Sequence, residues 1–195
     1  MKYGELNLGQ VEAIVNKLGG MDGVRRLLSG EPVVKATERT FTVWKTITLG
    51  LQKSAEDYKK SLESNGFQIS GYACQILKKI LVSQTEIMLD LVILTVAELG
   101  FKRGTTFQQI CSRAKELGLE LCPAEVGPAL RLAYSDQPCG EWLRITMEPI
   151  PDSGGRSDVF SVDRDGGERW LDTDWFGSGG VWAPGTRVVF VLPRK

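Results

Sequence analysis

Five carboxylates and two indoles fall within eighteen residues of the C-terminal quarter, VFSVDRDGGERWLDTDWF (159–176): Asp163, Asp165, Glu168, Asp172 and Asp174, with Trp170 and Trp175. Several chemistries use such a set. Asp172 and Asp174 are two apart, so on a strand they share one face at about 7 Å, within reach of two-carboxylate glycoside hydrolysis. Asp163-x-Asp165 opens like a calcium loop, which needs an acid at its fifth position and glycine at its sixth. Gly167 and Glu168 stand there instead. Asp165-Gly166 between alternating runs predicts a hairpin turn, because a type I′ turn needs positive φ at both central residues.

Tryptophan placement adds a second theme. Trp142, Trp170, Trp175 and Trp182, four of the five tryptophans, lie in the last third of the chain. Indole faces stack on sugars or flat bases while neighbouring acids accept hydrogen bonds from hydroxyl or amino groups. The candidate binding residues are therefore Trp170, Asp172, Asp174, Trp175 and Trp182. A small sheet also uses tryptophan to anchor its core, and this competes with binding at each position.

Other chemistries are closed by composition. The chain has no histidine, which removes Ser-His-Asp and Cys-His catalysis, histidine bases and histidine-ligated metals. Cys74, Cys111, Cys122 and Cys139 form no C-x-x-C pair, so neither a zinc knuckle nor a thioredoxin-like motif is present. Cys122 in LCPAEVGP (121–128) could be a thiol activated by a following helix start. Lacking a histidine base, it fits better as part of a structural turn with Glu125 in the first helical turn. No phosphate-cradling glycine loop occurs. No catalytic residue, metal site or cofactor is predicted.

Lysine plus arginine and aspartate plus glutamate both number 24, for zero net charge. That balance gives no footprint for nucleic acid or an anionic membrane. Locally the picture differs. Residues 148–175 carry eight acids against three arginines, net −5, whereas the last twenty are net +3. The apolar run IMLDLVILTVA (87–97) is too short to span a bilayer, and the start MKYGELNLGQVEAI lacks a signal-peptide core. The expectation is a cytoplasmic protein with reduced thiols and no membrane contact.

These residues need elements to position them. Residues 7–30 predict two helices, the first capped by Asn7 with Gln10 and ended by Gly19-Gly20, the second capped by Asp22 and stopped before Pro32. The second is about two turns long, short for a major-groove helix despite Arg25 and Arg26. TFTVWKTITLG (40–50) predicts a strand. Helices follow over 54–66, 71–81 and 104–118, the last capped by Thr106 with Gln109. Residues 86–97, apolar on both faces except Asp90, suit a central strand. After LCPAEVGP the alternation of Leu130, Leu132 and Tyr134, then of Leu143, Ile145 and Met147, predicts strands, with another at 187–192. FGSGG (176–180) is an ordinary loop. The fold class is α+β, with a helix-rich N-terminal part and a largely antiparallel C-terminal sheet. A helical arm occupies 1–31 and an α+β domain 32–195.

The segment LGLELCPAEVGPALRLAYSDQPCGEWLRITMEPI (117–150), with VWKTITLG and VAELGF upstream, resembles a group of small uncharacterised bacterial proteins sharing an LGLELCPAEVGP-type core. The resemblance implies a bacterial, cytoplasmic origin and no particular activity. With catalytic apparatus missing, the expected function is a non-enzymatic binding or accessory protein acting through a macromolecular partner, most simply another protein. The alternatives are a carbohydrate-binding protein or carboxylate hydrolase using the Trp/Asp-rich face, and a nucleic-acid regulator using Arg25, Arg26, Lys78 and Lys79. Zero net charge disfavours the regulator.

Overall fold

The computed structural model describes residues 7–18, 20–30, 40–175 and 180–194. The expected helix stops Gly19 and Pro32, and most of the FGSGG loop, lie outside the described residues. The chain divides into two compact units, Met1–Thr40 and Phe41–Lys195, a later boundary than the expected 31/32.

The first unit holds α1 (Leu8–Lys17) and α2 (Met21–Leu28). Asn7 and Gln10 form a reciprocal capping box, each side chain accepting from the other's backbone N–H at 2.9 Å. Asp22 does not cap α2. Gly20, at φ 81°, takes the cap position without a side-chain bond, so the helix begins one residue before Asp22. Asp22 lies in the first turn and pairs with Arg25 at 3.3 Å.

The second unit runs β1 (Lys45–Leu49), α3 (Ala55–Ser64), β2 (Gln68–Ile69), α4 (Gly71–Leu77), β3 (Ile87–Thr95), β4 (Thr105–Thr106), α5 (Phe107–Glu116), α6 (Val126–Ala133), β5 (Trp142–Ile145), β6 (Ile150–Pro151), β7 (Ser157–Asp165), β8 (Glu168–Trp175), β9 (Val181–Trp182) and β10 (Arg187–Leu192). Its main sheet has the order β1-β3-β10-β5-β7-β8-β2, with β6 paired to β7; β4 and β9 form a separate two-stranded sheet. The fold is α+β, but the sheet is mixed. β10 lies parallel to β5, and β2 parallel to β8, where a largely antiparallel sheet was expected. The last strand inserts between β3 and β5 because its two apolar faces, Val189 and Val191 on one side, Val188 and Phe190 on the other, each meet a core cluster. Such a strand belongs in a sheet's middle.

One element is corrected outright. Leu130 and Leu132 belong to helix α6, not to a strand. Val126 through Arg131 are all buried, so the helix shows no polar stripe, and its apolar residues mimic alternation. Gly127 is required there by packing: a Cβ would approach the Phe160 ring to 2.6 Å. Helix α4 also ends earlier than the 81 expected. Glu125, expected in the first helical turn, takes the cap position of α6 without a side-chain cap bond. Thr106 and Gln109 form the second reciprocal box, as predicted.

The main core lies between the sheet and α3, α4 and α6. Tyr58 and Leu62, Ala73, Ile76 and Leu77, and Val126 and Leu130 meet Leu91, Ile145, Val162, Leu171 and Val189. At its centre the Glu125 carboxylate, 1% exposed, accepts from Gly50 N–H at 2.9 Å, Tyr58 O–H at 2.7 Å and Ser83 N–H at 2.8 Å. One side chain thereby ties two loops and α3 to the start of α6. Burial and this carboxylate push the Tyr58 phenol far above its ordinary range.

Candidate functional site

The second face of the sheet is covered unevenly. Over β3 and β10, Ile110 and Ala114 of α5 join Val92, Val188 and Phe190 in a buried cluster. Over β5, β7 and β8 the same face carries a groove of about 600 Å³. Its walls include Trp142, Ser161, Asp163, Trp170, Asp172 and Asp174. The hairpin that builds it turns at Gly166 and Gly167, φ 56° and 94°, with Asp165 opposite Glu168. The positive-φ pair is thus Gly-Gly, one residue later than the Asp165-Gly166 turn expected.

Register decides which side chains meet. Trp142 pairs with Asp163, and Asp163 with Trp170, so one row across three strands reads indole, carboxylate, indole. The next row reads Arg144, Ser161, Asp172. Adjacent strands lie about 4.8 Å apart, so each row is a set of touching neighbours. Leu143 and Val162, on the intervening positions, turn into the core. Trp142 is 51% exposed, a large apolar surface left to solvent.

The electrostatics are those of crowded acids with little neutralisation. Burial pushes the Asp163 carboxyl up to about 7; Asp172 and Asp174 add to this, while the Ser161 hydroxyl and the Arg144 guanidinium oppose it. Ser161 Oγ donates to Asp163 Oδ2 at 2.8 Å, and the buried Oδ1 has no hydrogen-bond partner among the described residues. Burial raises Asp174 as well, against the opposing pull of Arg144, whose Nε is ion-paired with it. Asp172 Oδ1 accepts from the Thr173 N–H at 2.7 Å.

Beneath the row, on the core side, Arg131 is fully buried and bonds mainly to neutral oxygens. It donates to Gln137 Oε1 at 2.6 Å, to the Asp163 carbonyl at 3.1 Å, to the Trp170 carbonyl at 3.5 Å, and to the Tyr134 carbonyl. Gln137 in turn donates to the Val162 and Glu141 carbonyls at 2.9 and 3.0 Å. Burial lowers the Arg131 guanidinium to about 10. This network grips the backbone of the two hairpin residues in the indole–carboxylate row, so their positions are fixed from below.

No family model, curated protein or solved structure matches the chain. The site therefore rests on its own geometry.

Of the residues singled out in the sequence, Trp170, Asp172 and Asp174 come together in the groove. Trp175 and Trp182 are not part of its lining. Trp175 ends β8 opposite Asp158, 56% exposed. Trp182 packs on Phe107 with ring centroids 5.2 Å apart, and the Arg144 guanidinium lies 5.7 Å from its ring. It behaves as a core anchor at the groove's far border. The other lining residues were not among the candidates, and the two that matter most to the row are Trp142 and Asp163. Their signal was present: EWLRITME puts Trp142 and Arg144 on the phase opposite Leu143 and Ile145, and an indole on a polar phase is an exposed indole. Among the described residues, no group of three or more Cys, Asp or Glu could hold a metal ion, and none forms a helix long and apolar enough to cross a membrane. Arg25 and Arg26 fall in one unit and Lys78 and Lys79 in the other. Lys79 is engaged with the Pro151 carbonyl at 2.6 Å.

Proposed function

We propose that the protein is a non-enzymatic binding protein of the bacterial cytoplasm, acting through a partner protein that docks on the open face of β5, β7 and β8. The observation that carries this reading is the groove with its half-exposed Trp142, on a sheet face that α5 covers elsewhere. Exposed aromatic surface set in a polar rim is how protein interfaces concentrate their binding energy. The bacterial and cytoplasmic setting is the one implied by the resemblance of residues 117–150.

Carboxylate hydrolysis has weaker support. It needs one free protonated acid and one free ionised acid facing a substrate. Asp174 is held by Arg144, and Asp172 is bonded to its own strand. A nucleic-acid role would bring phosphates against five lining carboxylates.

Site-specific photo-crosslinking in the native host tests the proposal. A benzophenone side chain replacing Trp142 should give one defined protein adduct, and the same group replacing the exposed Lys60 on α3 should not. Identical adduct patterns at the two positions, or none at Trp142, would overturn it.

A further inference from the structure

We propose that the row Trp142–Asp163–Trp170 seats a cationic side chain, arginine or lysine, carried by the partner protein. The inference rests on the docking reading above and supplies the chemistry of what docks.

Four observations carry it. The first is register. A carboxylate stands directly between two indoles on adjacent strands. Aromatic faces are electronegative, so both flanks and the centre attract a cation and repel an anion. The second is charge. Among the described residues the groove is lined by Asp163, Asp165, Glu168, Asp172 and Asp174 and by no lysine or arginine. Arg144, at its edge, is already committed to Asp174. A cationic segment supplies what this surface lacks.

The third observation is an unused acceptor. Asp163 Oδ2 takes the Ser161 hydroxyl, but Oδ1 is buried with no donor among the described residues. A carboxylate with one internal hydrogen bond keeps acceptor capacity, which an incoming guanidinium or ammonium N–H can use where Asp163 lines the groove. The fourth is precedent within the molecule. Arg144 sits between the Asp174 carboxylate and the Trp182 ring. Arg156 likewise pairs with Asp158 at 3.1 Å and lies 4.0 Å from the Tyr72 ring centroid. The chain twice places an arginine between an acid and an aromatic ring. In the Trp142–Asp163–Trp170 row the acid and the rings are present, and the cation is left to the partner.

Arg131 makes the seat rigid. By holding the Asp163 and Trp170 carbonyls it fixes the spacing of ring and acid before anything binds, which reduces the ordering cost of association.

The test uses the full chain labelled with nitrogen-15, following its five indole N–H signals. The titrants are a capped arginine–glycine decapeptide, a glutamate–glycine decapeptide, spermine and a twelve-nucleotide DNA strand. The arginine peptide should move the Trp142 and Trp170 signals and leave Trp44 unmoved, and the glutamate peptide should move neither. Asp163→Asn should weaken the arginine peptide by roughly tenfold or more, as loss of one partner of a buried charged contact does; Trp142→Leu should weaken it as well. The proposal fails if the two indoles stay still, if Asp163→Asn binds as tightly, or if spermine or DNA binds as well as the arginine peptide. Should the peptide fail while crosslinks at Trp142 persist, the cationic seat is wrong and the docking face stands. If crosslinks also vanish, both fall.

Discussion

Asp163→Asn should stabilise the protein at alkaline pH and leave it nearly unchanged in acid. The carboxyl is pushed up to about 7, first by burial and then by Asp172 and Asp174. In the unfolded chain it titrates near 3.9. The folded protein therefore holds this proton more tightly than the unfolded chain does. Stability falls as pH rises from about 4 to about 7 and is level above that. A separation of about 3 units corresponds to roughly 4 kcal/mol, a ceiling for a group that solvent still partly reaches. Of that, about 2–3 kcal/mol develops between pH 5 and pH 8. At about 2–4 °C per kcal/mol for a chain of this length, the gap in Tm between variant and parent should widen by roughly 5–10 °C over that interval. Asparagine keeps the shape and can bond to Ser161, so little else changes. Asp158 and Asp174 are also raised, but they titrate in both proteins and largely cancel in the difference. Thermal melts followed by circular dichroism at pH 5, 6, 7 and 8 would show it. Parallel curves would mean that Asp163 is ionised at little cost and that the argument from its crowding is wrong.

Two further outcomes follow from groups the site does not use. Glu125→Ala strands three donors, the Gly50 and Ser83 N–H groups and the Tyr58 hydroxyl, in or beside the core; urea unfolding should show a loss of roughly 3–5 kcal/mol, and a loss under about 1 would contradict the hub assigned to it. Cys139 is exposed, whereas Cys122 is 3% exposed and burial pushes its thiol far above the usual range; iodoacetamide at pH 8 followed by peptide mass mapping should label Cys139 first and Cys122 only after unfolding, and early labelling of Cys122 would return the LCPAEVGP thiol to the list of reactive groups.

What the sequence disclosed about the fold divides along the range of the interactions involved. Caps and turns are local. Asn7 with Gln10, and Thr106 with Gln109, were legible because a capping box needs only four consecutive residues. Strand β3 was legible because apolar residues on both faces need cover on both sides. Helix α6 was not, because a helix buried all round loses its polar stripe, and Leu130 to Tyr134 satisfies i+4 and i+2 spacing alike. The strand order was hidden for a different reason. Nothing local in RVVFVL specifies that it will lie antiparallel to β3 on one side and parallel to β5 on the other.

The same division explains the site. Asp172 and Asp174 share a face by the period of two within one strand, and the hairpin brings Asp163 opposite Trp170 through a two-residue turn. Both steps are close in sequence. The step that completes the row, Trp142 against Asp163, crosses the connection between β5 and β7, which includes β6, and depends on where that connection sets the register. A shift of one residue there would send Trp142 to the core face and Leu143 to the groove. Burying Leu143 and Val162 together opposes that slip. The apolar residues that hold the core are therefore also what delivers the indole to the carboxylate. The row Trp142–Asp163–Trp170 is a consequence of packing on the far side of the sheet, and a variant that disturbs Leu143 or Val162 disturbs the groove without touching it.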